Sequence, residues 1–250
     1  MNKTTPFFIA GCVRSGTTML REVLRRHPML ECPEETHFFR WSDPFASNRY
    51  DMVYTQNKLI AQQHEMDGIS QEEFDSLYQE SQNRKELTDR YMALYLEKLG
   101  NPNARWFDKT PQHIYGLFLI KKFYPEAKFL HIYRNPLNVA ASLLKGQVMP
   151  KHSLIGAVNY WNESMILMEA FERAHPESVL NVCYEDFCNN PAQKIKGIAE
   201  FIGEDISGVD FQIGGIHPEK NKYKQMMDEE QVAYVRESCS EHMKKYGYIS

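Results

Sequence analysis

The fold of this chain is decided by Pro6-Phe7-Phe8-Ile9-Ala10-Gly11-Cys12-Val13-Arg14-Ser15-Gly16-Thr17-Thr18-Met19-Leu20, close to its N-terminus. This stretch predicts an apolar strand, a tight turn bounded by two glycines, and then the start of an amphipathic helix. A turn of this shape points several backbone N–H groups and the positive end of a helix dipole at one place. We therefore expect the stretch to bind an anion, most often a phosphate.

The spacing of the turn resembles the Walker P-loop, G-x-x-x-x-G-K-[ST], with one departure. Gly11 and Gly16 match its two glycines, but Thr17 stands where the motif has lysine. The cation has moved back into the loop as Arg14. The sequence thus predicts a phosphate loop, but not one for ATP.

Length and composition are those of a single globular domain. At 250 residues the chain suits one α/β domain, and its 42% hydrophobic and 25% charged residues are ordinary. The net charge of −4 argues against a general nucleic-acid-binding role. No apolar run approaches the ~20 residues that a membrane span needs, and no signal segment precedes the first strand.

The cysteines point to a reducing compartment. There are five of them, they form no CxxC pair, and they do not predict a disulfide framework. We therefore expect a cytoplasmic location. Cys12 lies inside the loop, where a small residue that fits a tight turn is a better interpretation than a reactive thiol.

Strands and helices alternate along most of the chain. Further strands are predicted at 30–32, 105–107, 128–133 and 179–183, and helices near 17–26, 49–64, 71–81, 85–99, 113–124, 153–174, 191–202 and 228–245, with a loop at 214–225. Asn135-Pro136 predicts the start of one more helix. This alternation indicates the α/β class, with a mostly parallel central sheet flanked by helices. We interpret the polar segment 43–100 as a helical insertion that covers the substrate, within a single domain spanning 1–250.

The strand at 128–133 ends in Arg134, where a P-loop kinase would place an acidic residue that holds Mg²⁺. A cation at this position attracts a second phosphate and repels a metal ion. The sequence therefore predicts two anion sites with no metal ligand between them. A nucleotide that carries phosphates at both ends of its ribose fits this pattern.

Two motifs together make the chain similar to the sulfotransferases that use 3′-phosphoadenylyl sulfate (PAPS). Arg14-Ser15-Gly16-Thr17-Thr18 resembles the 5′-phosphosulfate loop of that family, and Arg134 with Ser142 resembles its 3′-phosphate site. The resemblance implies a P-loop NTPase-like fold, PAPS as the sulfuryl donor, 3′-phosphoadenosine 5′-phosphate (PAP) as the product, and no metal. Without the first loop, Arg134 in a surface salt bridge and Ser142 as a packing residue would be sufficient explanations.

The same resemblance suggests the catalytic groups. In the branch that sulfates protein tyrosine or heparan sugars, a glutamate in a similar Glu-Glu-Thr context is the general base, which implies this role for Glu35, with Glu34 as its neighbour. His37 is then a supporting group on the substrate side. The resemblance implies that Lys109 places a charge near the reacting oxygens, and that Asp108 is a structural partner. Two solvated glutamates after a proline turn are the alternative interpretation.

Two weaker elements follow later in the chain. The resemblance suggests a contact between Tyr184 and the adenine, but a buried structural tyrosine is the better interpretation. It also implies that Lys222, Tyr223 and Lys224 belong to a loop that covers the nucleotide, with a solvated charge run as the alternative.

The acceptor is not specified by these motifs. A carbohydrate, a phenol or another small-molecule hydroxyl, or an amine, is compatible with them. Five aromatic residues are candidates for the walls of the acceptor pocket, with packing in the core as the alternative: Phe38, Phe39, Trp41, Tyr50 and Trp161. A P-loop kinase for a small metabolite and a non-catalytic nucleotide-binding module are the alternative functions.

Overall fold

A central sheet of five parallel strands organises the molecule. The computed structural model describes residues 5–40, 43–146 and 152–249. The strands are β1 (Phe7–Ala10), β2 (Leu30–Glu31), β3 (Arg105–Lys109), β4 (Lys128–Tyr133) and β5 (Val179–Cys183). Their order across the sheet is β2-β3-β1-β4-β5, and every neighbouring pair is parallel. The α/β prediction is confirmed, and the sheet of the described residues is entirely rather than mostly parallel.

The strand order places β1 between β3 and β4. In register, Phe7 of β1 lies beside Phe107 of β3 and Lys128 of β4. Because all three strands run in the same direction, the segments that follow them leave the sheet at one edge. The phosphate loop after β1, Lys109 at the end of β3 and Arg134 after β4 therefore meet there.

Helices cover both faces of this sheet. They are α1 (Thr17–Leu24), α2 (Asn48–Gln56), α3 (Lys58–Met66), α4 (Gln71–Gln79), α5 (Arg84–Lys98), α6 (Leu117–Phe123), α7 (Pro136–Lys145), α8 (Leu154–Ala174), α9 (Tyr184–Asn189), α10 (Pro191–Ile202), α11 (Tyr223–Met226), α12 (Glu229–Ser238) and α13 (Ser240–Lys245). None of these helices combines the length and apolar character needed to cross a lipid bilayer.

Three predicted helices are not continuous in the structure. The one expected at 49–64 is divided into α2 and α3, because the side chain of Asn57 caps α3 by accepting the N–H of Leu59 at 3.0 Å. The one at 113–124 begins as a 3₁₀ turn, Pro111–Gly116, before α6. The one at 228–245 is divided into α12 and α13. The segment 214–225, predicted as a loop, contains the start of the short helix α11.

The helices of the insertion share their core with the sheet. Phe74 of α4 and Tyr91 of α5 belong to the same buried cluster as Phe8 of β1 and Phe129 of β4. Burial of such rings supplies most of the driving force for packing, at ~25 cal/mol per Å² of apolar surface. The insertion is therefore held against the sheet by a continuous core, and its helix α3 reaches the edge where the strands end.

Candidate functional site

The phosphate loop has the backbone geometry that a bound anion requires. Gly11 and Gly16 have φ of 154° and 98°, and Gly16 is the N-cap of α1. A Cβ on Gly16 would lie 2.4 Å from Cδ2 of Tyr184, so only glycine fits there. Arg14 also adopts a positive φ, 68°, inside the loop. The first backbone N–H groups of α1, from Thr17 onward, have no partner within the helix, and Thr17 and Thr18 line a cavity that is described below.

Arg14 and Arg134 are brought together by the loop and by the end of β4. Nε of Arg14 donates a hydrogen bond to Oγ of Ser142 at 3.0 Å, and Nη1 of Arg134 donates to the carbonyl oxygen of Arg14 at 3.0 Å. The guanidinium of Arg134 lies 4.4 Å from the ring centre of Tyr184. The structure therefore gathers Arg14, Ser142, Arg134 and Tyr184, which are distant in sequence, into one basic cluster.

Glu219 completes this cluster and was missed by the sequence analysis. Its Oε2 accepts hydrogen bonds from Nε of Arg134 at 2.7 Å and from Nη2 of the same guanidinium. The side chains of Arg134 and Glu219 are 19% and 8% exposed, so the pair is largely buried. A single acidic residue in a lysine-rich loop gives no local sign that it will reach a strand end 85 residues away.

Glu35 faces the cluster from the segment after β2. Nζ of Lys109 donates to Oε1 of Glu35 at 2.5 Å, and Nε2 of His37 lies 3.6 Å from Oε2. Lys109 is buried, whereas the Glu35 side chain is 23% exposed and open to the cavity. Burial, with the nearby positive charge of Arg40, lowers the pKa of His37 well below its usual range, so this imidazole is neutral at pH 7.

The neighbours of Glu35 hold its segment in place. Oγ1 of Thr36 donates to Oδ2 of the buried Asp108 at 2.5 Å, and Thr110 donates to Oδ1 at 2.9 Å. Burial raises the pKa of Asp108 to about 6. Glu34 is bonded to a different cation, because it accepts a hydrogen bond from Nη1 of Arg21 at 2.7 Å. Of the two adjacent glutamates, Glu35 is thus the one bonded to Lys109.

A cavity of about 750 Å³ joins these groups. The predicted site residues that line it are Arg14, Gly16, Thr17, Thr18, Glu35, His37, Lys109, Arg134 and Tyr184. Ser15 is fully buried and is outside this lining, and Ser142 reaches the site through Arg14. Further lining residues that the sequence analysis did not single out include Arg21, Arg40, Leu59, Gln63 and Gln112.

The late loop approaches the site differently from the expectation. Lys222 and Lys224 are exposed and are not part of the cavity lining, and Tyr223 packs against the core beneath α7. The loop reaches the site through Glu219 and through Asn221, whose Oδ1 accepts a hydrogen bond from Asn138 at 3.2 Å. In this arrangement the loop presents a carboxylate, rather than lysines, to Arg134.

The aromatic residues proposed for the acceptor pocket are mostly core. Phe38, Phe39, Tyr50 and Trp161 are at most 1% exposed and are absent from the cavity lining, and Trp41 lies outside the described residues. The core interpretation is therefore the right one for these four.

Neither a metal site nor a reactive thiol emerges from the site. Within residues 5–40, 43–146 and 152–249, no group of three or more His, Cys, Asp or Glu side chains is placed to hold a metal ion. The acidic side chains lining the cavity there, Glu34 and Glu35, are bonded to Arg21 and Lys109. Cys12 is buried, and burial raises its pKa to about 12, which suits a packing residue.

A family model and several curated proteins match most of the chain. The model of the sulfotransferase family matches residues 6–208. Protein-tyrosine sulfotransferase A of Caenorhabditis elegans is 25% identical over 210 residues, which are 80% of this chain and 50% of that protein. The chain spans about half the length of this and several other curated relatives that it matches.

Solved structures share the fold. The sulfotransferase domain of the Synechococcus PCC 7002 olefin synthase superposes with a TM-score of 0.71 at 18% identity, covering 100% of this chain and 98% of that domain. A mouse sulfotransferase in complex with PAP superposes with a TM-score of 0.56 at 15% identity, covering 98% of this chain and 89% of that one.

Proposed function

The chain belongs to the sulfotransferase family, and from this premise we propose that it moves the sulfuryl group of PAPS to a hydroxyl or amine acceptor. The proposal assigns Glu35 as the general base and requires no metal. PAP, bound in the mouse neighbour, is the expected second product.

The basic end of the cavity suits the donor nucleotide. Gly16, Thr17 and Thr18 line the cavity, so the start of α1 faces the space where a 5′-phosphosulfate would bind, with Arg14, Thr17 and Thr18 as its partners. Arg134 provides a planar cation for the 3′-phosphate, and Ser142 a hydroxyl nearby. In this proposal the Tyr184 ring, whose centre is 4.4 Å from the Arg134 guanidinium, contacts the nucleotide at this end.

Lys222, Tyr223 and Lys224 fit this scheme as a cover over the nucleotide only after the loop moves, because neither lysine lines the cavity in this state. Ser15 contributes through the shape of the loop, since its buried hydroxyl does not reach the cavity.

The chemistry then needs one base and neutralisation of charge. Glu35 takes the proton of the acceptor hydroxyl while the oxygen of the acceptor forms a bond to sulfur. The bond between sulfur and the bridging phosphate oxygen breaks, and the electron pair leaves with PAP. Arg14 and Lys109 stabilise the negative charge that grows on the sulfuryl and bridging oxygens. His37, being neutral, can hold the acceptor or Glu35 by a hydrogen bond without adding charge.

One observation carries the proposal. The Glu35 carboxylate is 2.5 Å from Lys109 Nζ and opens into the same cavity as the phosphate loop. A base, a cation and an anion cradle thus face a common space large enough for two substrates.

The test separates binding from turnover. We expect Glu35→Gln to bind PAP with unchanged affinity in calorimetry and to lose transfer of ³⁵S from labelled PAPS by about 10²–10⁴-fold. Slow release of labelled sulfate to water gives a readout that needs no organic acceptor. Glu34→Gln is the matched variant, because Glu34 is bonded to Arg21 instead of Lys109, and it should retain most activity. Wild-type turnover in Glu35→Gln would remove Glu35 from the mechanism, and absence of PAP binding by the wild type would remove the whole proposal.

A further inference from the structure

Part of the cavity is built from segments other than the phosphate loop and β4. We call it the acceptor wall, and it consists of Arg40, Leu59, Gln63, Pro111 and Gln112. Leu59 and Gln63 are one turn apart on α3 of the insertion, whereas Pro111 and Gln112 begin the 3₁₀ turn just after Lys109. The wall therefore adjoins the Glu35–Lys109 pair.

Two carboxamide oxygens in this wall lack hydrogen-bond partners among the described residues. Oε1 of Gln63 and Oε1 of Gln112 are buried and accept no hydrogen bond from the described residues. Gln112 is only 6% exposed. Leaving a buried amide oxygen without a donor is costly, so such groups in native proteins are normally satisfied by protein, water or ligand. Both side chains line the cavity although the oxygens themselves are buried, so rotation of each carboxamide about its last side-chain bond would bring its oxygen to a ligand there, which can supply the missing donor.

The number of donors distinguishes two classes of acceptor. A simple phenol carries a single hydroxyl, and Glu35 must take the proton of that group, which leaves no donor for the wall. A sugar carries several hydroxyls, so that one can face Glu35 while its neighbours reach the two glutamines. Among the lining residues that the structure describes, Tyr184 is the one Phe, Tyr or Trp, and it lies under Arg134 at the nucleotide end.

We propose that Gln63 and Gln112 bind hydroxyl groups of a polyhydroxylated acceptor, and so direct sulfuryl transfer to a glycoside rather than to a simple phenol. The inference rests on the proposed sulfotransferase function. It makes these two glutamines specificity-determining residues, whereas Glu35 performs the proton transfer.

The first experiment compares acceptor classes with ³⁵S-labelled PAPS. The hydroxyl-rich probes are methyl glucoside, methyl galactoside, cellobiose and methyl N-acetylglucosaminide. The phenolic probes are 4-methylumbelliferone, N-acetyltyrosinamide and a short tyrosine peptide. We expect label in at least one glycoside, with kcat/KM at least tenfold above that of every phenol. Preference for a phenol, or no labelled glycoside, overturns the inference; PAP binding measured in parallel shows separately whether the proposed function still stands.

The second experiment assigns the glutamines. Gln63→Leu and Gln112→Leu should each raise KM for the best glycoside by about tenfold, with kcat and the Kd for PAP within about twofold of wild type. Gln62→Leu is the matched control, because Gln62 is on the same helix, is exposed and is not part of the cavity lining. An unchanged KM in both glutamine variants, or equal effects in Gln62→Leu, contradicts the assignment.

Discussion

Glu219 occupies the partner position that a 3′-phosphate would take on Arg134. The two guanidinium nitrogens of Arg134 that donate to Glu219, Nε and Nη2, are the donors that a phosphate would use. In the proposed complex the nucleotide must therefore displace this carboxylate before it binds. Replacing Glu219 by glutamine removes the competing charge while keeping the size of the side chain, so we expect Glu219→Gln to bind PAP more tightly than the wild type.

The size of the effect follows from the burial of the pair. An exposed ion pair contributes at most ~1 kcal/mol, whereas hydrogen bonds to buried charged groups contribute ~1.5–3 kcal/mol. The two side chains are 19% and 8% exposed, which favours a value of about 1.5–2 kcal/mol. At ~1.4 kcal/mol for each factor of ten, the Kd for PAP should fall by about 10- to 30-fold. The free variant should also melt at a lower temperature, because it has lost the ion pair.

Two controls make this prediction specific. Adenosine 5′-monophosphate lacks the 3′-phosphate, so its affinity should be the same in Glu219→Gln and in the wild type. Asp186→Asn removes one negative charge from an exposed residue that pairs with Lys194 instead of Arg134, and it should leave the Kd for PAP unchanged. Calorimetry that finds unchanged or weaker PAP binding by Glu219→Gln would refute the competition between Glu219 and the phosphate.

Further predictions concern Gly16 in the phosphate loop and the buried residue His64. Gly16→Ala places a Cβ 2.4 Å from the Tyr184 ring at a φ of 98°. PAP affinity should therefore fall at least tenfold, and the free energy of unfolding should fall by ~1–3 kcal/mol. Gly197→Ala is the control, because its Cβ meets no atom within 4 Å, and it should change neither quantity. Burial lowers the pKa of His64 to about 3, so the unfolded state takes up a proton more readily, and stability is fully present above the usual histidine pKa of ~6.5 and is lost as the pH falls below it. Between pH 7.5 and pH 5 this loss amounts to ~2 kcal/mol, and urea unfolding of His64→Leu should show a pH dependence weaker by that amount. His217→Gln, at an exposed position, is the control, and an identical pH dependence in His64→Leu and the wild type would contradict the assignment.

The residues that sequence analysis located best are those fixed by local structure. The apolar run Phe7–Ala10, the two glycines and the helix start at Thr17 follow each other directly, so their conformations depend mainly on neighbours in the chain. Arg134 was found because it follows a strand, and parallel strands end at the same edge of a sheet. The meeting of Arg134 with the phosphate loop is a consequence of that rule.

Helix boundaries and the aromatic residues were harder to predict. The division at Asn57 depends on one side chain that can either continue a helix or cap the next one. Phe38 and Tyr50 are residue types that are common in ligand pockets. They are instead buried against the helices of the insertion, and packing across the domain decides that burial. Periodicity along the chain does not distinguish these two environments.

The sequence by itself determined the α/β fold, the glycine-bounded loop after β1 and the cation at the end of β4, because each depends on the order of residues within one or two adjacent elements. Only the tertiary structure decided that Glu35 and not Glu34 contacts Lys109, and that Glu219 pairs with Arg134. It also decided that Gln63 and Gln112 line the same side of the cavity. Gln63 and Gln112 are 49 positions apart in the sequence, and Arg134 and Glu219 are 85 positions apart. These pairings depend on how the elements pack in three dimensions, and no local pattern of residues specifies that packing.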